Sequence, residues 1–312
     1  GFDSLAAVFR RARFTNPVEH AIRVMVFNRL CDPDSKLGVL RWLTSVSMPG
    51  IDGDKLTHQQ LLRSMDALMD HQGAVEDCVA GLLRPLIDQD LSVVFYDLTT
   101  IRAEGLSQQE GDVRRFGMSK EGIIARQFML GVVQTADGMP IYHEVFDGNT
   151  AEAPTLESDL FTYELDEAAL ARAQLMDGKL MLVTNVKDMK ADEIVSRYKS
   201  LADIERGFRV LKSEIEMAPV YHRLPDRIRA HASICFMALI LYRVMRQRLK
   251  RAGSELSPES ALADLRRIQR HTVSIDNGAP LSGVSTIHPR QADVLAALNV
   301  KEPSHDAQMS LL

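Results

Sequence analysis

Apolar residues recur at three- and four-residue spacing through residues 198 to 215. At 100° per residue Leu201, Ile204, Phe208, Leu211 and Ile215 form one stripe, and Tyr198, Glu205, Arg209 and Lys212 share the sector beside it. The spacing predicts an amphipathic helix with Glu205 at the edge of a core, where a carboxylate costs free energy unless it is paired or binds a metal. An i, i+4 pair with Arg209, worth about 0.2–0.5 kcal/mol, is the plain explanation.

The first 90 residues show the same helical period. Asn16-Pro17 caps a run through Val18, Ile22, Val26 and Leu30. Thr57-x-x-Gln60 is a capping box ahead of Leu61, Leu62, Met65 and Leu68, and Asp32-Pro33-Asp34-Ser35 and Met48-Pro49-Gly50 punctuate the region. From 91 the period shortens. Leu91 to Tyr96 reads as a buried strand ending at Asp97, followed by a polar, basic loop at 114–120. A strand at 124–135, an Asp137-Gly138 turn and a strand at 140–146 then form a hairpin, and Asp147-Gly148-Asn149-Thr150 reads as a turn. Farther on, the pattern predicts a strand at 179–186, a long helix at 226–250 and a helix from Ser257-Pro258-Glu259 to about Arg270. The tail is mostly loop, with a short helix near 290–298.

Composition is that of a globular chain, 46% hydrophobic and 25% charged over 312 residues. Three scattered cysteines, Cys31, Cys78 and Cys235, suit a reducing cytoplasm and form no zinc or disulfide framework. The chain starts at Gly1 with no charged-then-apolar leader, which reads as truncated or processed and not as secreted. The apolar run 232–242 is too short for a membrane span. Net charge is −5, yet residues 197–251 carry thirteen Lys and Arg against five acids, a local excess able to steer DNA; a solvated basic helix face is the plain alternative. His231 reads as a packed or DNA-near histidine and not as a metal ligand.

Tyr198, Glu205 and Lys212 resemble the Tyr-x2-Arg-x3-Glu-x6-Lys signature of DDE transposases of bacterial insertion sequences, with Leu201 where that signature has Arg. The words around it resemble a divergent branch of that superfamily: Leu201-Ala202-Asp203-Ile204-Glu205-Arg206-Gly207-Phe208-Arg209, Pro219-Val220-Tyr221-His222-Arg223, Ile228-Arg229-Ala230-His231, and Gly117-x-Ser119-Lys120 with Gln127. The resemblance covers about residues 15 to 250. It implies an α+β fold: a helical N-terminal region over 1–90, an incomplete ribonuclease-H-like mixed sheet flanked by long helices over 91–250, and a C-terminal helix and flexible tail over 251–312. It also implies Asp97 and Glu205 as catalytic carboxylates and ligands of Mg²⁺, with Mn²⁺ as substitute. DNA contacts would come from Tyr198, Arg209, Lys212, Arg115, Lys120 and Arg229, and the active form would be a homo-oligomer. The chain departs from the family near 156–157, where Pro154-Thr155-Leu156 runs directly into Glu157-Ser158-Asp159, resembling the far end of the family's inserted subdomain. Asp159, Asp166 and Asp177 do not end a strand-length apolar run, so the second catalytic Asp is expected to be lost. The expectation is a catalytically defective transposase; a non-catalytic remnant that occupies transposon ends or binds subunits, and an unrelated ribonuclease-H-like nuclease, are the alternatives.

Overall fold

The computed structural model describes residues 2–84, 94–105, 109–118, 124–135, 138–150, 190–273 and 281–303. Helices come first: α1 (Phe2–Arg11), α2 (Asn16–Cys31), α3 (Lys36–Leu43), α4 (His58–Asp70) and α5 (Gln72–Leu83). Pro17 sits in the first turn of α2, behind Thr15 and not Asn16 as the N-cap. The capping box of α4 forms: Gln60 N–H donates to Thr57 Oγ1 at 3.3 Å and Thr57 N–H to Gln60 Oε1 at 2.7 Å.

The sheet is antiparallel among the described residues. Strand β3 (Ile124–Thr135) pairs through residues 127–135 with the whole of β1 (Val94–Arg102) on one edge. On its other edge β4 (Pro140–Asp147) and the short β2 (Arg115–Met118) lie end to end. Directly opposite residues share a face. By register one face therefore carries Asp97, Thr99 and Ile101 of β1, Phe128, Leu130, Val132 and Gln134 of β3, and His143 and Val145 of β4. Most of these are buried.

That face meets the longest helix, α7 (Pro225–Arg251); its predecessor α6 spans Ala191–Ser213. The His143 ring stacks on Phe236 at 4.3 Å, and its Nε2 lies 3.1 Å from Ser233 Oγ. The opposite side of α7 packs on α2 and α4, so a single core cluster runs from Phe9, Ile22 and Met65 through Ala232, Leu239 and Ile240 to Leu130. By length and composition α7 is apolar enough to cross a membrane, but most of its apolar window is buried inside the fold. It is the central helix of the core.

A smaller cluster joins the end of α7 to α8 (Pro258–Leu265) and α9 (Pro289–Ala297), around Met245, Leu249, Ala261 and Val294. Two elements differ from expectation here. The helix after Ser257 stops at Leu265, and residues read as tail form a hairpin of β5 (Arg270–Val273) and β6 (Leu281–Val284). The strand expected at 179–186 and the deletion near 156–157 lie outside the described residues. Helices with an antiparallel sheet beside them give the α+β class.

Candidate functional site

Asp97 stands in the middle of β1, not at its end. The strand continues to Arg102 because Leu98, Thr99 and Ile101 are buried against β3, which is long enough to pair with all of it. The Asp97 carboxylate is half-buried on the helix-facing side, and its Oδ1 accepts the Leu98 N–H at 2.8 Å.

Helix α6 reaches this side of the sheet at the start of β1. Gly207 makes the approach possible: a Cβ there would lie 2.8 Å from Gln134 Nε2 and 3.2 Å from Arg243 Nη2. Gly207, Phe208, Val210 and Leu211 form the buried side of the helix, with Ile215 just past its end. Including 207 and 210 turns the buried side, and Glu205 lies about 140° from its centre at 100° per residue. Glu205 is consequently exposed, as are Arg209 and Tyr198, while Lys212 is half-buried. The sector expected at the core edge faces water. The side chains of Leu201 and Ile204 lie outside the described part.

The segment 114–120, expected to be a basic loop, is instead strand β2 over Arg115–Met118, because it pairs with the start of β3, and the residues just before it are structural. Asp112 and Arg114 are buried, and Arg126 enters from β3. The Asp112 carboxylate accepts bonds from Arg114 N (3.0 Å), Nε (2.9 Å) and Nη2 (2.8 Å), and from Arg126 Nη2 (3.2 Å). Burial works to raise the Asp112 pKa, but its bonds from Arg114 prevail and hold it below the usual carboxylate value. Arg114 Nη1 also donates to the Glu104 carbonyl at 3.0 Å, which fixes the loop to the end of β1. Sequence reading missed this cluster. Its signal was Arg126, the single charged residue of strand β3.

Arg115, expected to touch DNA, pairs with Asp147 at 2.8 Å and donates to the Asp112 carbonyl, so it fastens β2 to the end of β4. Arg229 pairs with Asp226 at 3.2 Å on the first turn of α7 and keeps a partly exposed side chain. Lys120 lies outside the described residues. His231 is a packed histidine: it is buried, and its Nε2 lies 3.0 Å from the Met217 carbonyl.

Mg²⁺ requires several oxygen ligands in near-octahedral geometry. Among the described residues no three His, Cys, Asp or Glu side chains converge into a group that could hold a metal. Asp97 and Glu205 alone do not make up a two-metal donor set. Comparison with known proteins finds no matching family model, no matching curated protein and no matching solved structure.

Proposed function

We propose that this chain is a DNA transposase of the DDE type in a catalytically defective form, acting on DNA by binding and not by cutting. The observation that carries the reading is Asp97 in the middle of the first strand of an antiparallel β1-β3-β4 run, on the face that α6 approaches through Gly207, with Tyr198, Glu205 and Lys212 on the outer side of that helix. Strand, loop and hairpin in that order resemble the opening of a ribonuclease-H-like sheet. Two Mg²⁺ ions in such a centre activate the attacking oxygen and stabilise the leaving one. With Asp97 and Glu205 as the candidate ligands, the donor set is too short to support that chemistry.

What remains for the chain's own residues is binding. Tyr198 and Arg209 are exposed and Lys212 half-exposed on one sector of α6, and Arg229 adds a partly exposed charge on α7. The three cations hold phosphates by charge and the Tyr198 hydroxyl by hydrogen bonding, without reading sequence. Transposon-end and target DNA are the proposed partners, together with further subunits of the same kind.

The reading is tested by duplex binding across a salt series and by a nicking assay on end-containing DNA in Mg²⁺ or Mn²⁺. The logarithm of affinity should fall linearly with the logarithm of salt concentration, and Lys212→Glu or Arg209→Glu should weaken binding. Binding that ignores salt, or no binding at low salt, would overturn the DNA reading. Nicking that disappears in Asp97→Ala would show that the centre is complete and the chain active.

A further inference from the structure

A cleft of about 520 Å³ opens between the start of α3, the start of α4 and the 219–224 segment that leads into α7. Its described lining includes Arg29, Lys36, His58, His222, Arg223 and Arg227, and no carboxylate. The neighbouring acids have partners of their own, although the Asp34 carboxylate lies against Gly38 on the first turn of α3. Asp66 holds Arg227 through two bonds of 2.7 and 2.8 Å, and Asp34 accepts the Ser35 N–H and pairs with Arg41.

Two cations at the back of the cleft are buried. Arg29, 8% exposed, donates to the carbonyls of Glu216 at 3.0 Å and Asp34 at 2.8 Å, which aims its guanidinium but leaves its charge uncompensated. Lys36 is 7% exposed, and its ammonium has no hydrogen bond or ion pair among the described residues. Burial, then the charge of Arg29, lowers its pKa to about 7, with Cys235 opposing. The same field reaches the histidines: burial first, then Lys36, Arg227, Arg29 and His58, lower His222 to about 3. Buried cations without counter-charge are costly, and an anion from solution relieves that cost.

Helix α3 adds donors at the same place. Its Gly38 N–H is taken by Ser35 Oγ, while Ser35, Lys36 and Leu37 line the cleft at the positive end of the helix dipole. We propose that this cleft binds a phosphate group, with Lys36 and Arg29 as buried charge partners, the first turn of α3 as a source of N–H donors, and Arg223 at the rim. The site is independent of the carboxylates and of the α6 cations, so it goes beyond the transposase reading.

The test uses the full chain in thermal unfolding and titration calorimetry, with inorganic phosphate replacing chloride at matched ionic strength. Phosphate should raise the unfolding temperature with saturation. Lys36→Met should bind phosphate at least about tenfold more weakly, the loss of one charge-assisted contact. In chloride it should unfold at or above the wild-type temperature, because an uncompensated buried charge is removed. No response of the wild type beyond chloride, or an unchanged affinity in Lys36→Met, overturns the site. Should that variant not fold, the exposed Arg223→Gln carries the test, and an unchanged affinity there overturns it. A duplex oligonucleotide that competes with phosphate identifies a DNA backbone as the source, whereas competition by a mononucleotide alone identifies a free phosphate compound. DNA binding without a phosphate response faults this site alone, and a phosphate response without DNA binding faults the transposase reading alone.

Discussion

Replacing Asp112 by Asn tests whether the Asp112, Arg114 and Arg126 cluster holds the sheet edge. The carboxylate takes four bonds, Oδ1 accepting Arg114 N and Nε and Oδ2 accepting the Nη2 of both arginines. An Asn can keep the two bonds at Oδ1, but its amide nitrogen would then face two N–H donors. Both guanidinium groups, 0% and 6% exposed, would stay buried and lose the Asp112 charge. Removing one partner of a buried ion pair costs about 3–5 kcal/mol, a large share of a typical domain's stability of about 5–15 kcal/mol. Urea unfolding followed by circular dichroism should show the midpoint falling with the slope unchanged. Asp147→Asn supplies the comparison, since its pair with Arg115 is 42% and 44% exposed and such pairs are worth at most about 1 kcal/mol. If Asp112→Asn costs no more than Asp147→Asn, the cluster does not hold this edge.

Gly148→Ala should destabilise by about 3 kcal/mol, because an added Cβ runs into the Gln127 carbonyl and the Arg115 nitrogen, which are backbone and cannot turn aside; tolerance of Ala in a denaturant titration would count against the β4-to-β2 junction. Thr57→Ala should cost about 1 kcal/mol through the lost capping box, and an unchanged unfolding midpoint would show that α4 does not depend on it. Acid should unfold the chain early. Burial lowers His143 to about 4 and His222 to about 3 and holds His231 well below the ordinary value of 6.5, so below 6.5 the unfolded chain binds more protons than the folded one. Stability is then complete above pH 6.5 and lost as pH falls toward 4, with about 3 kcal/mol from His143 alone at about 1.4 kcal/mol per pKa unit; His143→Phe should shrink the loss, and an identical acid profile would refute it. Lys36 acts in the other window: with a folded pKa of about 7 against 10.5, it adds stability as pH rises between those values, a slope that Lys36→Met should remove.

Much of the helical framework was legible. Pro17 at the head of α2, the Thr57-x-x-Gln60 box and the apolar length of α7 are local signals, and each element formed where its signal lay. Strand β3 was readable to the residue because its apolar run is bounded by the Asp137-Gly138 turn signal. The misses share a cause. Asp97 reads as a strand end because a carboxylate interrupts an apolar run, but the pairing that extends β1 comes from β3, some 30 residues on. The β5 residues are all exposed, so no apolar alternation marks the hairpin with β6. Arg114 and Arg126 read as surface charge because only the fold brings Asp112 to both. For the site, the sequence puts Asp97 on a strand and Glu205 on a helix, while the turn of α6 that exposes Glu205 depends on Gly207 meeting Gln134.

The position of α7 sets an order on the chain's synthesis. Helices α2 and α4 rest on α7, and Arg29 of α2 is held by the carbonyl of Glu216, which lies 187 residues later. The sheet's buried face rests on the same helix through His143 and Phe236. Ribosomes deliver the N-terminal helices first, then the strands, and the part that covers both last. Until residues past 224 have left the exit tunnel, the parts of α2, α4 and β3 that α7 covers stay open, although α2 and α4 also pack on each other. A nascent chain halted before that point would therefore carry two uncovered surfaces, and its safe passage would rest on chaperones and not on its own packing.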